Sequence, residues 1–160
     1  MKPTAAGISA AVLVVGVCLT VWFTVARPRG PENVALVDLA ATNAVTDQVG
    51  RTLRTVFSYD PSQMDRTAVA AQDVLVGAAI EQYNTQFQQA RKEATDNKQV
   101  LTTAVRSVGV VDLRPDSARL LVFVDRQLVK GDKHESGAAQ LLVSAVKSGD
   151  VWKISDIRFL

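Results

Sequence analysis

The stretch Ala118-Arg119-Leu120-Leu121-Val122-Phe123-Val124-Asp125 decides the fold. Ala118, Leu120, Val122 and Val124 alternate with Arg119, Leu121, Phe123 and Asp125, so one face is wholly apolar and the other is mixed. A period of two with a single apolar face describes a strand that needs cover on one side only. Just before it, Arg114-Pro115-Asp116-Ser117 is a turn signal, and Val100–Leu113, rich in β-branched residues, reads as the preceding strand. On the other side, the charged run Lys130–Gly137 is expected to form a loop, Ala138–Lys147 a third strand and Ser148-Gly149-Asp150 a tight hairpin turn. Val151–Phe159 then reads as the last strand, with Trp152 and Ile154 on one face.

Upstream the period changes. Val34, Val37, Ala41, Val45, Val49, Leu53 and Val56 recur at spacings of three and four, which predicts one long helix over Glu32–Phe57, with Gly50 as its weak point. Ser58-Tyr59-Asp60-Pro61 ends that helix and opens a second over Pro61–Leu75, with Asp60 as N-cap and Pro61 in the first turn. Gly77 marks a break or a close packing point. A third helix follows, with Val76, Ile80, Tyr83, Phe87, Ala90 and Ala94 on its apolar face and Asp96-Asn97-Lys98 at its end. Three helices and then four strands, without alternation, exclude a doubly wound parallel sheet. They predict an α+β domain with helices on one face of an antiparallel meander.

The N-terminus has a different character. Pro3–Ala26 contains no charged residue, and at about 1.5 Å per residue its 24 residues reach roughly 36 Å, enough for a hydrocarbon core of about 30 Å. Trp22 suits the lipid–water interface, and Arg27-Pro28-Arg29-Gly30-Pro31 stops the helix. The expected organisation is a short N-terminus and transmembrane helix over 1–27, a Pro/Gly linker over 28–31 and an α+β domain over 32–160. A cleaved signal peptide is the rival reading, although its apolar region would be shorter. Cys18 reads as a small lipid-facing or helix-facing residue. Lys2 on one side against Arg27 and Arg29 on the other is too small a bias to fix the orientation.

Eighteen basic and 16 acidic residues leave a net charge of +2, which excludes a strongly basic nucleic-acid binder and an acidic tail. One Cys and one His cannot assemble a zinc cage or an internal disulfide. His134 falls in the expected charged loop and reads as a surface residue. No glycine-rich phosphate loop and no cluster of metal-ligating carboxylates stands out, so no cofactor is expected. Helices laid on a curved sheet often leave a cone-shaped cavity, in which Tyr59, Tyr83, Phe87, Phe123 and Trp152 could line a pocket for an apolar ligand. The alternative is that these aromatics simply fill the core.

Several segments in order, Ala35–Val49, Val56-Phe57-Ser58-Tyr59-Asp60-Pro61, Gly77–Tyr83, Ala94–Lys98, Ala118–Asp125 and Gly149–Ile157, together resemble the actinobacterial family of Mce-associated membrane proteins. The sequence departs from that pattern at Val76-Gly77-Ala78-Ala79, where a Thr-Gly and an aromatic are usual, and in its very short N-terminal tail. The resemblance implies a nuclear transport factor 2-like (cystatin-like) roll and a non-enzymatic accessory subunit. It also implies a cytoplasmic N-terminus, an extracytoplasmic domain and Mce lipid-import proteins as partners, with the bilayer and an apolar lipid as further contacts. The competing reading is a small enzyme of the same fold using Tyr59 or Asp112, or a lipid carrier without chemistry.

Overall fold

The computed structural model describes residues 32–160. The transmembrane helix, Cys18 and the Pro/Gly linker expected over 1–31 lie outside the described residues. Among those described, no helix is long and apolar enough to cross a membrane.

Three α-helices precede four strands: α1 (Leu39–Val56), α2 (Met64–Val74), α3 (Ala78–Asn97), β1 (Gln99–Leu113), β2 (Ser117–Lys130), β3 (Lys133–Ser148) and β4 (Val151–Phe159). The strands form one antiparallel sheet in the order β1-β2-β3-β4, the meander that the sequence predicts. The alternation of β2 is realised in burial. Leu120, Val122 and Val124 are shut away with Leu141, Val143 and Ile154, while Phe123 on the opposite face is exposed. The helices cover the apolar face, with Val45, Val49, Leu53 and Val56 of α1 fully inside the core. Removing Leu53 down to Ala would cost about 2–5 kcal/mol.

The first helix is shorter than its stripe predicts. It begins at Leu39 with Asp38 as N-cap, whose carboxylate accepts from the Ala41 N–H at 2.9 Å. The reason lies in Asn33. Its Oδ1 accepts from the N–H groups of Leu113 (2.9 Å) and Ala35 (3.1 Å), its Nδ2 donates to the Val111 carbonyl, and the Val34 N–H donates to the Leu113 carbonyl. These bonds hold residues 33–35 against the end of β1 and out of helical geometry. Val37, placed on the apolar stripe by its spacing, consequently stands 81% exposed.

The second helix opens with a 3-10 turn, Pro61–Gln63, capped by Asp60 as expected, before α2 proper starts at Met64. In α3 the buried face runs through Ala79, Tyr83, Phe87 and Ala94, and Ile80 is displaced outward. The chain just before α3 is fastened to β4: Leu75 bridges to Ile154 and the Val76 N–H donates to the Ile154 carbonyl at 2.8 Å. That docking turns Ala79 into the core and leaves Ile80 38% exposed. Gly77 itself sits at φ 57, ψ −136, where a Cβ is strained.

The charged run 130–137 is not a loop. Only Gly131-Asp132 turns the chain, with Gly131 at φ 56, and Lys133–Gly137 continues β3 in register with β2. Glycine with positive φ at the first of two turn residues matches the twist of a hairpin. Gly149-Asp150 repeats the device, with Gly149 at φ 62. Both faces of the β2–β3 extension meet solvent, so its charged side chains leave no apolar alternation to read. His134 is accordingly an exposed strand residue opposite Val129.

Candidate functional site

An aromatic-lined cavity lies where α3 passes over the start of β1. Tyr59 sets its floor. After α1 ends, the chain at Tyr59 pairs with Leu101, each N–H donating to the other's carbonyl at 2.9 Å. Thr103 reinforces the joint, its hydroxyl donating to the Phe57 carbonyl at 2.7 Å and its N–H to the Ser58 hydroxyl at 3.0 Å. From α3, Tyr83 and Phe87 stand one turn apart on the same face, with ring centroids 5.0 Å apart and planes 23° from parallel. Together with Val56, Phe57 and Leu101 they enclose about 200 Å³, and the exposed Gln86, Gln89, Glu93 and Arg126 complete the wall. A neighbouring hollow of about 310 Å³ shares Tyr59, Glu93, Leu101 and Arg126 and continues along β2 and β3 to Ala138.

The hydroxyl of Tyr83 is buried and has no hydrogen-bond partner. Such a group forfeits about 1–3 kcal/mol of solvation. Desolvation also pushes its pKa up to about 12, so it is a donor and never a base at ordinary pH. Tyr59 is raised as well, first by burial and then by Glu93, against the opposing pull of Arg126. The cavity therefore combines an aromatic wall with a polar margin of both signs, and the unused Tyr83 donor is closed off from it until the ring turns. It suits a largely apolar body.

The structure brings Tyr59, Tyr83 and Phe87 to this one cavity. Phe123 lies on the other face of the sheet, 37% exposed. Trp152 lines a separate groove with Gln48, Arg51 and Thr55 of α1 and Asp73 and Val74 near the end of α2. Tyr59 and Asp112 do not meet. Tyr59 is paired to Leu101 near the start of β1, whereas Asp112 is near its end, where it forms an ion pair with Arg114 at 3.0 Å. Gln86, Gln89, Glu93 and Arg126 read as solvent-facing in the sequence. The available signal was the position of Gln86 one turn from Tyr83, and nothing comparable for Gln89, Glu93 or Arg126. Among the described residues, no group of three or more His, Cys, Asp or Glu is placed to hold a metal ion.

No family model matches the chain. Two uncharacterised proteins of Mycobacterium tuberculosis are 32% identical to it over 103 residues, covering 62% of this chain and 47% of theirs. The chain thus spans about half the length of the curated relatives it matches. Three solved structures share the architecture at low identity. The Helicobacter pylori CagV, a VirB8 homologue of a type IV secretion system, aligns with a TM-score of 0.62 at 10% identity, over 73% of this chain and 96% of that one. An IcmL-like type IV secretion system protein of Legionella pneumophila gives 0.63 at 6% identity, over 74% and 91%. VirB8 of Agrobacterium tumefaciens gives 0.57 at 11% identity, over 76% and 92%. The fold is therefore the nuclear transport factor 2-like α+β roll found in VirB8-type domains.

Proposed function

We propose that this chain is a membrane-anchored, non-enzymatic accessory subunit that offers its α+β domain to the proteins of an envelope transport machine. One observation carries the reading. Among the described residues, the buried ones include no Asp, Glu, His, Lys or Arg, and Tyr83 with a pKa of about 12 is the sole buried titratable side chain. General acid–base chemistry needs a positioned group that titrates near the working pH. An interior without one leaves the outer surfaces to do the work. The uncharged run Pro3–Ala26 supplies the anchor, with the N-terminus in the cytoplasm and the domain outside it. The resemblance to Mce-associated proteins, together with relatives in Mycobacterium tuberculosis, favours an Mce-type importer of fatty acids or sterols as the machine. Purification of the full chain in mild detergent from its native membrane tests this. Mce subunits in the eluate support it. Type IV secretion components in their place would reassign the machine, and a solitary chain turning over a lipid-like substrate would overturn the non-enzymatic role.

A second reading has its own observation. The unpaired Tyr83 hydroxyl adjoins a cavity with an aromatic wall, which favours a small apolar ligand with one acceptor oxygen, reached by a rotamer change at the wall. Mass spectrometry of organic extracts from the purified chain, beside Ala90→Leu to fill the cavity, reads it directly. A ligand present in the parent and lost in the variant is the expected result, and empty extracts from both would sink it.

A further inference from the structure

Leu36, Val37 and Leu39 are 93%, 81% and 68% exposed. Single apolar side chains on a surface are ordinary, but three large ones within four residues form a contiguous apolar knob. Their immediate neighbours behave differently. Ala35 is 8% exposed, and Val34 packs against the core. The segment thus has one side in the domain and one side with no protein partner among the described residues.

The sequence says what lies close by. Asn33 is fastened to β1 through Leu113 and Val111. Only residues 27–32 separate it from Ala26, the last residue of the uncharged run. Six residues, even fully extended, reach about 20 Å. If the run is in the bilayer, the knob cannot leave the neighbourhood of the lipid surface, and the headgroup layer itself occupies several ångströms of that distance. Arg27 and Arg29, in the connecting segment, favour anionic headgroups. Glu32 and Asp38 oppose deep entry, although the Asp38 carboxylate is engaged by the first turn of α1. An apolar knob with charges close behind it suits the boundary between headgroups and acyl chains.

We infer that Leu36, Val37 and Leu39 are a membrane-interface contact that lays the N-terminal edge of the domain on the bilayer. The contact fixes which face of the domain points away from the lipid. Gly131-Asp132, at the opposite end of the β1–β2 ladder from Leu113, is then held away from the membrane. This inference rests on the anchored reading above.

The test uses the full chain in nanodiscs of phosphatidylcholine and phosphatidylglycerol, in a Cys18→Ser background. A single fluorophore is attached through Val37→Cys or, as reference, Asp132→Cys. Lipids with a nitroxide near the headgroup should quench the label at 37 several-fold more than the label at 132. Leu36→Ser with Leu39→Ser should bring the two to the same level while circular dichroism stays unchanged. Equal quenching at both sites of a chain that still co-floats with lipid overturns the contact and leaves the anchor standing. A chain that fails to co-float overturns the anchor and the contact together. Label-to-label coupling at 37 without lipid quenching assigns the knob to a second copy and overturns the membrane contact.

Discussion

The two seams between helices and sheet are built on the same apolar logic and closed differently. At β4 two glutamines act as clamps. Gln48 of α1 accepts from the Trp152 N–H at 2.8 Å and donates to the Asp150 carbonyl, and Gln82 of α3 accepts from the Ile157 N–H at 3.0 Å and donates to Asp156 at 2.9 Å. Each satisfies backbone or carboxylate groups on the last strand that would otherwise face a helix unpaired. At β1 the same helix α3 brings two aromatic rings and no clamp, and a cavity with an orphaned hydroxyl remains. Apolar patterning decides that a helix lies on a sheet. Side-chain amides decide whether the seam is finished. The seam at β4 is tied by amides and keeps only the groove beside Trp152, whereas the seam at β1 holds the aromatic-walled cavity.

Breaking the finished seam should cost most. Trp152 is 5% exposed beneath α1 and α2, and Trp152→Ala should lose about 3–5 kcal/mol in chemical denaturation. A loss under 1 kcal/mol would mean that the indole is not a structural part of the seam. Gly77→Ala places a Cβ on a residue at φ 57, ψ −136 and should cost about 1–3 kcal/mol in chemical denaturation through backbone strain. Gln82→Ala strands the Ile157 N–H and should cost about 1–3 kcal/mol. Hydrogen exchange at the Ile157 amide should accelerate in that variant, and an unchanged rate would remove the clamp from the comparison.

Much of this contrast was hidden from the sequence for reasons that can be named. The meander was legible because β2 alternates cleanly and because Arg114–Ser117 and Ser148–Asp150 carry turn chemistry. Helix existence was legible from Val45, Val49, Leu53 and Val56. The start of α1 was not, because Val34 and Val37 continue the helical spacing while Asn33 binds to a strand 80 residues later. Tertiary hydrogen bonds of that separation leave no local pattern. The β2–β3 extension was missed because a strand solvated on both faces has no period to detect. Gln48 and Gln82 look like any polar residues on a helix surface until β4 is in place. Tyr83 and Phe87 could be assigned to one face by spacing, and Phe123 could be set apart from them, since it alternates onto the mixed face of β2, opposite the apolar face that the helices cover.

The smallest effect is expected at the unfinished seam, and its sign distinguishes the seams. Tyr83→Phe removes a buried hydroxyl that bonds to nothing, so the variant should gain stability, by about 1 kcal/mol or less. The pH dependence provides a second handle. Burial raises the Tyr83 pKa from 10.0 to about 12 in the folded chain. A raised pKa means that unfolding favours loss of the proton. The contribution is fully present below pH 10 and is lost as the pH rises towards 12. The parent should therefore lose stability across that window more steeply than Tyr83→Phe, with Tyr59 contributing to both alike. Parallel curves would show that the hydroxyl is solvated rather than buried, and a loss of stability in Tyr83→Phe at neutral pH would show that it has a partner in solution. The seam at β1 would then be closed like the one at β4. If instead the variant gains stability while an extracted ligand disappears, the same missing bond that weakens the free domain is the one its ligand supplies.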